Sequence, residues 1–149
     1  MDGYSLLHSW PELAPGQARH TALAREELIN ILTQYHDATG EPITIFFDGA
    51  GAPKGAPKNE SSRTVEVLFS RAGQTADDMI ERVALRFQPY GEVLVVTDDR
   101  TERDMVSGVG GLTSSCANFI RTIGAALQEM QSDLKARNRA ERNRFSRPQ

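Results

Sequence analysis

The sequence predicts an α/β protein, a three-layer α/β/α sandwich around a mainly parallel sheet. Two short runs, Ile43–Phe47 (with Thr44 its one polar residue) and Val93–Val96, are apolar nearly throughout, as strands buried on both faces are. Segments with helical periodicity alternate with the strands, which implies right-handed crossovers and parallel pairing. Acids follow the apolar runs, Asp48 after ITIFF and Asp98 and Asp99 after VLVVT. In open α/β sheets that edge is where ligands bind.

The elements follow in order. Residues 20–38 read as a helix, with Leu28, Ile31, Leu32 and Tyr35 on one apolar face. Gly40 stops it and Pro42 prevents continuation. Ile43–Phe47 is a strand. From Gly49 to Arg63, Gly, Ala and Pro alternate with Lys54, Lys58 and Arg63 and no periodicity survives, so a long mobile loop is expected. Thr64–Ser70 alternates as a strand. A helix begins near Thr75, where Thr75 and Asp78 have capping-box spacing. Its expected buried stripe is Ile80, Val83, Ala84 and Phe87. Glu92–Thr97 is the central strand, and Thr101–Val106 a turn or short helix. The glycines of GVGG, Gly108 to Gly111, lead to Ser114 or Ser115 as the cap of a final helix with the stripe Phe119, Ile123, Leu127, Met130 and Leu134. Only Met1 precedes Asp2, where a doubly wound domain would have a strand. The chain is therefore expected either to be recorded without its first strand or to form a sheet one strand short.

At 149 residues, 39% hydrophobic and 25% charged, the chain suits one globular domain. No apolar run approaches the roughly 20 residues that span a bilayer, and no signal-peptide pattern opens it. Cys116 is the single cysteine, so no intrachain disulfide forms, and the expected location is a reducing cytoplasm. The net charge of -3 is uneven. Residues 135–149 hold Lys135, Arg137, Arg139, Arg142, Arg144 and Arg147 against Glu141, a tail of +5 on a body of -8. That asymmetry fits a cation site in the body and an anionic partner such as nucleic acid for the tail. A solvated helix end explains the tail as well.

Far-separated acids at one sheet edge predict a pocket for a hard divalent cation, Mg²⁺ or Mn²⁺. Each acid also has a plainer explanation. Asp48 precedes Gly49 as in an ordinary turn. Asp77 and Asp78 fall in the first turn of a helix, where the macrodipole favours them. Asp98 and Asp99 suit a cap. His8, His20 and His36 are scattered, no Ser-His-Asp set is evident, and no His/Cys spacing suggests zinc. GVGG is not a P-loop, although N–H groups at a following helix start can hold a phosphate.

The motifs taken together resemble a known family. They are DGYS at Asp2–Ser5, WPEL at Trp10–Leu13, FFDG at Phe46–Gly49, VEVLF at Val65–Phe69, TADD at Thr75–Asp78, VVTDDRTE at Val95–Glu102, and the glycine-serine stretch to Ser115. This ordered series resembles the YacP-like NYN-domain proteins, which are similar to PIN-like nucleases, and it covers the chain to about Leu134. The resemblance implies an NYN nuclease domain over residues 1–134, with 135–149 a basic C-terminal helix end or tail. It implies a metal-dependent endoribonuclease that cleaves RNA phosphodiester bonds by metal-activated water, with ribosome-associated mRNA cleavage among its members. The family acids map to Asp2, Asp48, Asp77 and Asp99 as catalytic and metal residues. Asp78, Asp98 and Glu102 are second-tier candidates that would orient ligands or bond to metal waters. Lys54, Lys58, Arg63, Ser114, Ser115 and the arginine tail would contact RNA phosphates. Ser5 stands where the family commonly has Asn. The alternative is a non-catalytic RNA- or ribosome-binding module on a nuclease-like scaffold. A phosphoacceptor receiver domain also gathers acids at strand ends, but no later strand here ends in a suitably placed lysine.

Overall fold

The computed structural model describes residues 1–49, 59–61, 65–70 and 74–146. Its elements run α1 (Gly3–His8), α2 (Ala22–Thr39), β1 (Ile43–Phe47), β2 (Asn59–Ser61), β3 (Val65–Phe69), α3 (Ala76–Phe87), a 3-10 turn (Gln88–Tyr90), β4 (Leu94–Val96), α4 (Arg100–Gly108), β5 (Leu112–Ser114) and α5 (Cys116–Ser146). β1 pairs parallel with β3, β2 pairs antiparallel with β3, and β4 pairs parallel with β5.

Two residues join these strands into one layer. Asp2 bridges Phe46 in parallel sense. The Phe46 N–H donates to Met1 O at 2.8 Å, and the Asp2 N–H donates to Val96 O at 3.1 Å. Met1–Asp2 therefore lies between β1 and β4, and the order across the layer is β2-β3-β1-(Met1–Asp2)-β4-β5. The slot of the expected first strand is held by these two residues.

The period-2 alternation of strands sorts the core into two faces. Ile45 and Phe47 of β1 and Val96 of β4 face one cluster, with Leu6 and Leu7 of α1, Leu28 and Leu32 of α2, and Phe119 and Ile123 of α5. Phe46 and Val95 face the other, with Ile80 and Ala84 of α3 and Val106 of α4. Helices α1, α2 and α5 thus cover one side and α3 and α4 the other, the three-layer sandwich read from the sequence.

The departures have physical causes. Helix α1 was not expected, because six residues are too few for a periodic signal; Asp2 caps it by accepting the Ser5 N–H. Strand β5 takes the place of an unstructured approach to the last helix. Strand β2 lies inside the expected loop. Phe87 of α3 is half exposed and Val83 only half-buried, and Ala76 replaces them in the buried set with Ile80 and Ala84. Leu134 is half exposed as well, because α5 runs beyond the body that buries Phe119 and Ile123. Arg19 closes the segment between α1 and α2: its guanidinium donates to the carbonyls of Leu7, Trp10, Leu13, Ala14 and Gln17.

Gly3 is dictated by packing. A Cβ there would stand 2.3 Å from the ring of Phe47, which is fully buried. Gly3→Ala is therefore expected to cost at least about 1–3 kcal/mol, the usual range for overpacking. A lowered urea midpoint would report it, and an unchanged midpoint would contradict the placement of α1 against β1.

Candidate metal centre

The start of α3 and the start of α4 meet at the ends of the strands. Thr75 and Asp78 form the capping box of α3: Thr75 Oγ1 accepts the Asp78 N–H at 3.2 Å, and Asp78 Oδ2 accepts the Thr75 N–H at 3.2 Å. Asp78 is thereby committed to its own helix. Asp77, one residue earlier, is half-buried and turned toward α4. There Asp99 is the N-cap, its Oδ1 accepting from Thr101 N–H at 2.9 Å and Glu102 N–H at 3.4 Å. Glu102 sits three residues on, 1% exposed. Its side chain does not return to the cap, as in a capping box, but points inward.

One carboxylate oxygen from each of Asp77, Asp99 and Glu102 lies within 4.8 Å of the others. The positive ends of two helix dipoles offset part of this negative charge. Glu102 Oε2 accepts the Thr97 hydroxyl at 3.5 Å, and Thr97 Oγ1 accepts the Asp99 N–H at 3.2 Å. Thr97, fully buried, thus holds two of the three acids. Glu102 Oε1 is buried and has no hydrogen-bond partner.

The electrostatics follow from that crowding. Burial first, then Asp77, Asp2 and Asp99, push the Glu102 carboxyl up to about 9. Without a cation it is a neutral acid at pH 7, and the remaining group able to take its proton is another carboxylate. A hydrogen bond from Glu102 pulls the Asp77 carboxyl down. Burial, the charge of Asp2 and the neighbouring Asp99 outweigh it, so Asp77 lies above the ordinary range.

The other sequence candidates are placed differently. Asp2 is close enough for its charge to act on Asp77 and Glu102. Its two oxygens accept the Ser5 N–H at 3.3 Å and the Ser5 hydroxyl at 2.8 Å. Ser5 fixes Asp2 in place. Asp48 is exposed at the end of β1, outside the group of three, and accepts the Ser70 hydroxyl at 3.3 Å. The glycine after it is required not by a turn but by a close approach, since a Cβ on Gly49 would lie 1.7 Å from Ser70 O. Asp98 lies outside the group of three and accepts the Cys116 N–H at the start of α5 at 2.9 Å and the Ser9 hydroxyl at 3.2 Å.

The glycine stretch is not a phosphate cradle. Val109, Gly110 and Gly111 N–H groups close α4 on Met105, Ser107 and Val106 carbonyls, and the Leu112 N–H pairs with Val93 O. The stretch leads into β5, not directly into a helix. Ser114 Oγ donates to Ser115 O, and Ser115 Oγ accepts the Asn118 N–H. Lys54, Lys58 and Arg63 lie outside the described residues. Cys116 is buried, and burial followed by the charge of Asp98 pushes its thiol up to about 12, which removes it as a nucleophile. Trp10 and Tyr4 pack against the core, and the Tyr4 ring tilts on Phe47 at 4.9 Å.

Sequence reasoning placed Glu102 among the second-tier acids and did not name Thr97, whereas the structure groups Glu102 with Asp77 and Asp99 and bonds Thr97 to it. The spacing Asp99-x-x-Glu102 matches a capping pattern, which accounted for the glutamate without any site. The signal that was available is its position on α4: Glu102 and Val106 are four apart, on the face that packs against the sheet.

The donor set suits a hard cation. Three converging carboxylates, one of them buried, match the all-oxygen preference of Mg²⁺ or Mn²⁺. Oxygens bound to one Mg²⁺ lie at most about 4.2 Å apart, twice the bond length. A spread of up to 4.8 Å therefore needs a slight closing or a water within the shell.

The family model described as the YacP-like NYN domain matches residues 1–148. The uncharacterized protein YacP of Bacillus subtilis (strain 168) is 32% identical over 124 residues, covering 83% of this chain and 72% of that protein. The crystal structure of Rae1 (YacP) from Bacillus subtilis superposes with a TM-score of 0.77 at 27% identity, covering 97% of this chain and 85% of that one. Its W164L mutant matches with the same score at 26% identity, over 92% and 80% of the two chains. The NYN domain is a PIN-like, nuclease-type scaffold, and among the described residues no helix is long and apolar enough to cross a membrane. This chain belongs to the YacP-like NYN-domain family.

Proposed function

We propose that the protein is a metal-dependent endoribonuclease, with Asp77, Asp99 and Glu102 as its principal cation ligands and Asp2 as a fourth acid. The observation that carries this reading is the convergence of three carboxylates, Asp77, Asp99 and the buried Glu102, with one oxygen of each within 4.8 Å of the others. Without a cation this crowding is relieved by Glu102 keeping its proton and bonding to Asp77; a cation would relieve it with all three acids ionised.

Bound there, Mg²⁺ or Mn²⁺ would neutralise charge at a phosphodiester and lower the pKa of water for attack. The chain's own residues supply the arrangement. Thr97 orients Glu102 and backs Asp99. The backbone at the start of α4 occupies Asp99 Oδ1, which leaves Oδ2 for the site. Ser5 holds Asp2. Asp48, across Met1–Asp2 from β4, stands at the same sheet edge, where it is placed to meet substrate or a metal water. RNA is the substrate class, and targeting by a partner such as the ribosome in the cytoplasm completes the proposal.

The test is paired. Mn²⁺ titrated calorimetrically into the full chain should bind, and single-stranded RNA should be cut with Mn²⁺ but not with EDTA. Binding without cleavage would favour a non-catalytic RNA-binding module. Failure to bind Mn²⁺ would remove the metal site.

A further inference from the structure

Helix α5 is about 46 Å long, at 1.5 Å for each of its 31 residues. It starts beside the acid cluster, where Asp98 holds its first N–H. Its core-facing residues, Phe119 and Ile123, belong to its first turns. From Gln131 to Arg144 every residue is exposed, so this half of the helix extends past the body.

Helical spacing, 100° per residue, puts Arg121, Gln128, Gln131, Lys135, Arg139 and Arg142 within a sector roughly 80° wide. All six are exposed. No acid of α5 shares that sector: Glu129, Asp133 and Glu141 fall on other faces. Arg137 and Arg144 also lie elsewhere, on the continuation of the core-facing side. The stripe therefore carries four cations and no acid, with Lys135, Arg139 and Arg142 clustered at its far end and Gln128 and Gln131 between them and Arg121, roughly 32 Å from Arg142 along the axis.

The rest of the molecule makes this matter. The body outside residues 135–149 carries -8 and would repel a polyanion. At physiological salt the Debye length is only about 8 Å, so charges on an arm that projects farther act largely apart from the body.

We propose that this stripe is a phosphate-tracking surface for single-stranded RNA, holding the strand away from the acid cluster at the root of α5. The proposal rests on the nuclease reading for its choice of polyanion. Lys135, Arg139 and Arg142 span about 10 Å along the axis, enough to meet successive phosphates of one strand. Such contacts confer affinity and salt dependence, not sequence choice.

The experiment uses the full chain, with a labelled oligouridine in EDTA followed by fluorescence anisotropy across a salt series. Each phosphate contact to a single strand contributes about 0.7 to the slope of log K against log salt. The variant Lys135→Gln/Arg139→Gln/Arg142→Gln should lower that slope by about 2 and weaken binding at least tenfold at low salt, with helix content by circular dichroism unchanged. Arg137→Gln/Arg144→Gln should change the slope by less than half as much per residue. An unchanged slope in the first variant, an equal per-residue change in the second, or tighter binding to anionic phosphatidylglycerol vesicles than to RNA would overturn the stripe. Asp77→Asn, run alongside, separates the two readings. If it cuts RNA like the wild type while the triple variant loses affinity, the nuclease site fails and the stripe stands.

Discussion

Asp77→Asn is expected to lower Mn²⁺-supported RNA cleavage by more than about 100-fold. Loss of a group that merely orients a ligand commonly costs 10–100-fold, and Asp77 is proposed as a ligand itself. The substitution is nearly isosteric and leaves the capping box of α3 to Thr75 and Asp78, so the thermal midpoint should hold or rise as one charge leaves a crowded group. Asp48→Asn makes a sharp comparison. Asp48 lies outside the group of three acids, and its substitution should reduce cleavage while leaving Mn²⁺ affinity within a few-fold of wild type. Equal cleavage by Asp77→Asn and wild type would refute the site. Equal loss of Mn²⁺ affinity in both variants would place Asp48 among the ligands and require β1 to approach α3 more closely than it does here.

Much of this arrangement is legible in the sequence, and the limits are physical. The apolar run Ile43–Phe47, bounded by Pro42 and Gly49, reads as a strand with helices on both sides, and its residues divide between the two cores as the pleat requires. The order of acids and strands likewise places Asp77 and Asp99 at one edge. Short elements escape. Six residues of α1 and three of β5 fall below any period, and their existence depends on tertiary contacts: Ser5 with Asp2, and Leu112 with Val93. Met1–Asp2 acts as sheet because two neighbouring strands offer it partners, which no local pattern encodes. Glu102 was obscured for another reason. A glutamate three residues after a cap has an adequate local explanation, and only the packing of α4 decides whether its side chain turns back or inward. Asp98 shares that strand end with Asp99, yet its oxygens accept from the start of α5 and from Ser9, contacts that no local pattern announces.

Glu102→Gln should remove cleavage and at the same time stabilise the cation-free protein at alkaline pH. In the folded chain this carboxyl is pushed up to about 9 from 4.5, chiefly by burial. Between those values the folded state keeps a proton that the unfolded state releases. Stability must therefore fall as pH rises from about 4.5 to about 9, and level off above. Gln has the same shape and no proton to lose, so this fall should be absent in the variant, and its amide donates toward the carboxylates that Glu102 crowds. For a domain this size 1 kcal/mol moves the midpoint by about 2–4 °C, so the difference near pH 8.5 should reach several degrees in EDTA. Mn²⁺ reverses the order. It favours the ionised glutamate, so the wild type should gain stability with the cation while the Gln variant gains little. Thermal midpoints of both proteins at about pH 5.5 and pH 8.5, with EDTA and with Mn²⁺, decide it. Parallel pH profiles in EDTA would show that Glu102 ionises normally. The buried oxygen would then have a partner other than a cation, and the strongest reason for a metal at this edge would be gone.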